Sequence, residues 1–440
     1  MSDIVISDGT ATSAAPARKF SFKPIVQVGA GNALEIYDFM IYGYYATYIA
    51  KSYFPTNSDF VSLMLSLMTF AFGFLARPIG AIVLGAYADR HGRRKGLLLA
   101  LGLMSVGIIV VACTPSYSQI GIVAPIVVVC GRLLQGFSAG AELGGVVVYL
   151  AEIAQPNRRA FYTCFQVASQ QFAVMAASIV GLIVLFAMPK AELADWGWRL
   201  PLLLGCMVVP ILLWLRMSLS ETEVFAKRKH VPTVREIGRG LVSGWRVILR
   251  CMGMSAMAVV TSQAIQTYAP TFIKSLNLGE VAGFAIVFLV GLTTLITLPI
   301  MATVADKVNR KTMLVVVTLT AVVTAYPALS WLAGEPSAFR FGVVELWFSF
   351  LYGSYSAAQV PTMVETVPAQ SRTAGYAFAQ AFASAVLGGF TPAIATWLNY
   401  TFSSNAMVGV WLTIAAGISL VAVLTLDARD VAERQSNPLG

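Results

Sequence analysis

Five ionisable residues interrupt long apolar stretches of this chain: Glu35, Asp38, Arg77, Arg132 and Glu142. A charge in apolar surroundings is costly unless it is paired or neutralised, so each needs a reason. One reason is structural: internal ion pairs that fix how helices pack. The other is chemical. A guanidinium fork pairs bidentately with carboxylates, and an acid beside it can take a proton and release the fork to a second carboxylate. Arg77 and Arg132 are therefore candidates for binding an anion, and Glu35, Asp38 and Glu142 for carrying a coupled proton.

Neutral polar groups recur near these charges. Asn32 lies one turn before Glu35 on the same face, Tyr42 sits on a neighbouring turn, and Gln135 follows Arg132 by three positions. Gln166, Ser169, Gln170 and Gln171 form an amide-rich cluster. The second half of the chain offers Gln263, Gln266, Tyr268, Tyr352, Tyr355, Gln359 and Gln380. Each is a candidate substrate contact, with an interhelical hydrogen bond of about 0.6 kcal/mol as the plain alternative. No charge in the second half is clearly at mid-depth, and Glu345 is placed near an outer end. The charge comes from the first half, the amides and phenols from the second.

The elements that must position these groups follow from composition. Hydrophobic residues make up 57% of the 440 and charged residues only 12%, against roughly a quarter charged in soluble domains. Mean hydropathy is +0.74. Apolar runs fall near 24–50, 59–87, 96–114, 119–151, 160–187, 198–216, 247–273, 280–304, 312–333, 341–365, 374–398 and 406–426. Each is long enough to cross a bilayer as a helix, the form that satisfies its own backbone there. At about 1.5 Å per residue, Glu35 and Arg77 lie roughly 16–18 Å deep. Asp38 is near that level, Arg132 slightly above it and Glu142 below.

Of the 30 lysines and arginines, 23 fall on the termini and even-to-odd connections and five on the opposite side. The positive-inside rule then places both termini in the cytoplasm, and it accounts for the net charge of +9 without nucleic-acid binding. The five cysteines show no close pairing, and the two histidines, His91 and His230, lie in charged segments. A disulfide frame, a metal site and an intramembrane catalytic histidine are thereby excluded.

The longest polar connection divides the chain. The expected organisation is a tail at 1–23, a six-helix bundle at 24–216, a cytoplasmic connection at 217–246, a second bundle at 247–426 and a tail at 427–440. Motifs recur across the divide: GAYADRHGRRKG (85–96) answers to ATVADKVNRKTM (302–313), and AEIAQPNRR (151–159) to VETVPAQSR (364–372). Such repeats place a binding site near the midplane between halves. The small-residue run GFSAGAELGG (136–145) reads as close helix packing.

Gly85, Asp89, Arg90, Gly92, Arg93 and Arg94 match the GxxxDRxGRR signature of the major facilitator superfamily; the second copy keeps Asp306, Lys307, Arg310 and Lys311 but has Ala302 and Asn309 where glycines stand. Within it, residues 31–50, 77–96 and 132–152 resemble the metabolite:H+ symporter family, most of all its citrate and tricarballylate proton symporters. The resemblance runs nearly end to end. It implies an all-α membrane protein of twelve transmembrane helices in two pseudo-symmetric bundles. It also implies import of a tricarboxylate by proton symport through alternating access, in a bacterial inner membrane, by a monomer without cofactor or metal. Na+ coupling stays open, since Glu35 and Asp38 could hold that ion. In relatives the signature loop latches the halves together. Asp89, Arg90, Arg93, Arg94, Glu152, Asp306, Arg310, Glu365 and Arg372 are the matching positions here, with Glu152–Arg158 and Glu365–Arg372 as expected pairs. Plain anchoring of topology by positive charge is the alternative.

Rival readings remain. A dicarboxylate, 2-oxoglutarate or the zwitterion betaine would suit the same family. A drug antiporter is disfavoured because 160–187 lacks the GxxxGPxxGG run of that type. A membrane sensor lacks a signalling domain, and a membrane enzyme lacks a catalytic constellation.

Overall fold

The computed structural model describes residues 22–91, 93–140, 142–155, 158–217, 238, 243–367 and 372–426. The expected tails and most of the 217–246 connection lie outside the described residues. So do the side chains of Asp89, Arg90, Arg93, Arg94, Glu142 and Glu152.

Among the described residues all regular structure is helical, and it forms twelve spans. Spans 1 to 3 are Phe22–Tyr44 continued by Ala46–Tyr53, Asp59–Leu75 continued by Arg77–His91, and Arg93–Cys113. Spans 4 to 6 are Val123–Ala139 continued by Glu142–Ile153, Arg159–Ala187, and Leu200–Met217. The second half repeats the plan. Span 7 is Trp245–Ser262 with Gln263–Tyr268 and Ala269–Ser275, span 8 is Glu280–Lys307 and span 9 is Arg310–Gly334. Span 10 is Ala338–Thr366, span 11 is Arg372–Ala383 with Ser384–Gly388 and Thr391–Thr401, and span 12 is Met407–Leu424.

Local chemistry sets several boundaries. Ser58, Asn309 and Ser337 cap spans 2, 9 and 10 through their side-chain oxygens, which satisfies backbone donors left free at a helix start. Phe172, Ile183, Phe186, Met207, Ile211 and Val421 are exposed. Such a covering faces lipid rather than water.

Two features were not readable from hydropathy. Gln263–Tyr268 in span 7 and Ser384–Gly388 in span 11 are π-helical turns. Pro270 and Pro392 follow them, and a proline removes a backbone donor and crowds the preceding turn. The widened turn absorbs that disruption.

Spans 2 and 4 meet backbone to backbone. A Cβ added at Gly136 would lie 1.6 Å from the Gly73 carbonyl oxygen, and one at Gly140 would lie 2.0 Å from that of Arg77. Gly136 and Gly140, in the described part of the small-residue run, therefore pack closely as expected. The bundles also meet closely: a Cβ at Gly43 (span 1) would sit 2.2 Å from Thr267 Cγ2 (span 7).

The two ends of the helix bundle can be told apart by contacts. Lys311 Nζ donates to the Leu424 carbonyl at 3.3 Å, joining the start of span 9 to the end of span 12; this is the terminal face. On the far face, the Tyr53 hydroxyl donates to the carbonyls of Val111 and Thr114 at 2.9 Å each, and Arg199 donates to Thr114 at 3.2 Å.

Candidate functional site

Glu35, Asp38, Phe39 and Tyr42 share one face of span 1 by their helical spacing. Because spans 2 and 4 touch at their glycines, Arg77 and Arg132 converge on that face from neighbouring positions. Arg77 Nη2 lies 3.1 Å from Glu35 Oε1. Arg132 Nη1 donates to Asp38 Oδ2 at 3.0 Å and to Gln135 Oε1 at 2.5 Å. Gln135 in turn donates to Asp38 Oδ1 at 3.3 Å. All four charged residues are buried, from 0% exposed for Glu35 and Arg132 to 3% for Arg77, so pairing is what makes them tolerable.

Phe39 separates the two pairs. The Arg77 and Arg132 guanidiniums each lie 4.3 Å from its ring centroid, and Phe74 and Tyr42 back them at 4.0 and 4.5 Å. Cation–π attraction of this kind reaches about 2 kcal/mol when desolvated. Neither guanidinium is saturated. Arg77 Nε and the Nε and Nη2 atoms of Arg132 have no hydrogen-bond partner, so both retain capacity for another acceptor.

A central cavity lies between the bundles. Its first-half wall holds Arg77, Gln166 and Gln170 with Phe39 and Phe74, and its second-half wall holds Gln263, Tyr352, Gln359 and Gln380. Ser262, Ser356, Tyr376 and Ser384 also line it; sequence reasoning missed these. Serine is common in membrane helices, where it often bonds its own chain, as Ser262 does to the Val259 carbonyl at 3.1 Å. Composition gave no signal to single them out.

The remaining candidates fall elsewhere. Arg132 and Gln135 form a charged layer with Asp38 behind the wall, and Tyr42 braces it, donating to the Ser66 carbonyl at 3.3 Å. Asn32 joins spans 1 and 5 by donating to Ser169 Oγ at 3.0 Å and to the Gln166 carbonyl at 3.2 Å. Gln266 donates to Gln171 at 3.1 Å, between the bundles. The Tyr355 hydroxyl donates to the Met254 carbonyl at 2.7 Å, and Tyr268 stacks on Phe272 with centroids 5.7 Å apart.

Both faces carry contacts between the bundles. On the terminal face, Asp306 accepts from the backbone N–H groups of Ala160 and Phe161 at 2.9 and 3.0 Å, at the start of span 5. A carboxylate there meets free donors and a favourable helix dipole. Arg310 pairs with Glu365 at 2.7 Å and Asp306 at 3.0 Å, and Arg159 approaches Glu365 at 3.7 Å. The expected Glu365–Arg372 pair is not formed. Arg310 and Arg159 reach the carboxylate first, whereas Arg372 opens span 11 beyond the turn and makes no ion pair among the described residues. On the far face, Lys274 pairs with Glu280 at 3.3 Å and donates to Thr47 Oγ1 at 3.1 Å, while the Tyr48 hydroxyl donates to Glu280 at 3.3 Å.

Known proteins share this plan. The Major Facilitator Superfamily pattern matches residues 28–392. A citrate-proton symporter of Salmonella typhi is 44% identical over 94% of this chain and 96% of its own. A citrate-proton symporter of Klebsiella pneumoniae is 43% identical over 97% and 98%. The crystal structure of a D-xylose-proton symporter superimposes with a TM-score of 0.71 at 19% identity, covering 92% of this chain and 96% of that one. At that identity the likeness speaks for the fold alone. The chain is a multi-pass membrane transporter belonging to the Major Facilitator Superfamily.

Proposed function

We propose that this transporter imports a tricarboxylate, citrate or tricarballylate, by proton symport through alternating access. The observation that carries the proposal is Arg77, which lines the central cavity and keeps unpaired donors on its guanidinium while Glu35 holds its charge in check. Protonating Glu35 removes that competitor, and the fork then pairs with a substrate carboxylate. The Asp38–Arg132 pair repeats the arrangement one layer behind. Amides and phenols of the second bundle supply the remaining hydrogen bonds. Two relatives covering nearly the whole chain are named for citrate and protons, which favours H+ over Na+ and a tricarboxylate over betaine.

Energetics favour coupling. Moving one negative charge against a 100 mV membrane potential, negative inside, costs about 2.3 kcal/mol, so a trianion needs compensating cations. The distribution of basic residues supports cytoplasmic termini, and the bacterial relatives support an inner membrane. The terminal face is then cytoplasmic. The Asp306, Arg310, Glu365 and Arg159 cluster acts as the latch of one conformation.

Vesicles containing the purified protein, loaded at neutral pH and diluted into acidic medium, should accumulate labelled citrate, and tricarballylate should compete. Accumulation without a pH gradient but with a Na+ gradient would reverse the ion assignment. Competition by 2-oxoglutarate or betaine but not tricarballylate would reverse the substrate.

A further inference from the structure

Among the described residues, Glu345 is the buried carboxyl that takes no part in the ion pairs of the first bundle or the latch. It lies on span 10 and is 4% exposed. Its Oε2 atom has no hydrogen-bond partner, and it forms no ion pair among the described residues. That sets it apart from Glu35 and Asp38, each held by an arginine. Toward the far face, where Glu345 lies, the titratable groups of the neighbouring spans are Tyr268 and Lys274 (span 7), Glu280 (span 8) and Tyr326 (span 9), with Arg340 and Tyr352 on span 10 itself. Lys274 is committed to Glu280, and Arg340 to Glu335.

Its place on the helix is informative. Residues 345, 349, 352, 356 and 359 form one stripe of span 10 by their spacing. Tyr352, Ser356 and Gln359 of that stripe line the central cavity. Glu345 stands two turns from Tyr352 toward the far face, about 10 Å along the axis. Phe341 and Phe348, one turn to either side, are buried, and Phe341 packs on Phe272 of span 7. An anion enclosed this way without a counter-ion costs several kcal/mol. The carboxyl avoids that cost by holding a proton.

We propose that Glu345 is a proton-carrying site of the second bundle, loaded when the far face opens and carried in neutral form past the closed state. The proposal rests on the symport reading and adds a carrier that the charged first bundle does not contain. It also gives the neutral second wall a part in coupling.

Two measurements test it. In vesicles clamped at zero voltage, the steady accumulation ratio of labelled citrate is followed against the imposed pH difference. Each coupled proton contributes about tenfold per pH unit. The Glu345→Gln carrier should show one proton fewer than wild type, about tenfold less accumulation per unit; an unchanged slope overturns the proposal. Should that variant not fold, wild-type protein in vesicles is treated with dicyclohexylcarbodiimide, which attacks protonated carboxyls in apolar sites, and mapped by mass spectrometry. An adduct on Glu345 that forms more slowly as pH rises is the expected result, and none at any pH overturns the proposal. Failure of wild-type vesicles to exchange citrate would sink the tricarboxylate reading instead, leaving the carbodiimide result to judge Glu345.

Discussion

Gln266 of span 7 donates to Gln171 of span 5 at 3.1 Å, a buried bond between neutral amides that joins the two bundles. A neutral bond is cheap to break compared with an ion pair, which suits a contact remade in every transport cycle. Around it the packing is tight, as the approach of Gly43 to Thr267 attests.

The Gln171–Gln266 contact should show a coupling energy of about 0.6 kcal/mol in a double-mutant cycle with alanine. Thermal unfolding in detergent measures it. Additive effects would mean the amides stabilise through separate partners.

Backbone contact between spans 2 and 4 leaves no room at Gly136. The added Cβ of Gly136→Ala would lie 1.6 Å from a backbone oxygen, and overpacking costs about 1–3 kcal/mol or more. We expect its yield of monodisperse protein to fall sharply. Gly417→Ala, where a Cβ meets nothing within 4 Å, serves as the control and should gain up to about 1 kcal/mol from helix propensity.

Arg132→Lys keeps the charge but loses the planar fork. In the proposed cycle a protonated Asp38 yields this fork to a substrate carboxylate as Glu35 yields Arg77; a lysine there makes one charge-assisted bond fewer, worth about 1.5–3 kcal/mol, and citrate affinity should weaken by about tenfold or more. Competition uptake in vesicles checks this, and wild-type affinity would remove Arg132 from the binding machinery. Asp38→Asn should lose accumulation driven by a pH gradient while citrate exchange, which needs no net proton movement, continues.

Asp306 ties span 8 to the start of span 5, and Cys164 lies buried one turn further along span 5. Asp306→Asn gives up the carboxylate's attraction to the helix terminus, about 0.3–1 kcal/mol. Maleimide labelling of Cys164, in protein lacking the other four cysteines, should accelerate by roughly two- to fivefold. Unchanged labelling would argue against a latch.

Hydropathy and the repeated loop motifs made the spans and the two halves legible, because a helix in lipid must be both long and apolar. The cost of buried charge likewise singled out Glu35, Asp38, Arg77 and Arg132. Sequence distance gives depth but not azimuth, so it placed the four near one level without pairing Arg77 with Glu35 and Arg132 with Asp38. For the same reason it did not tell the cavity wall, where Arg77 and Gln263 stand, from the layer behind it that holds Arg132 and Tyr42. Nor did it tell either from helix joints such as Asn32 and Gln266. The π-helical turns were hidden because their residues are ordinary, and the disruption comes from prolines several positions later.

Phe39 stands between two ion pairs whose four formal charges cancel. As the first bundle rocks, the membrane field therefore does no net work on carrying this quartet as a whole and acts on it only through the turning of two short pair dipoles. Return of the empty carrier moves no net charge at these residues, and voltage acts there chiefly through what the substrate and its protons add. Currents recorded from vesicles adsorbed on a solid support should therefore depend on substrate, with little charge displaced when citrate is absent.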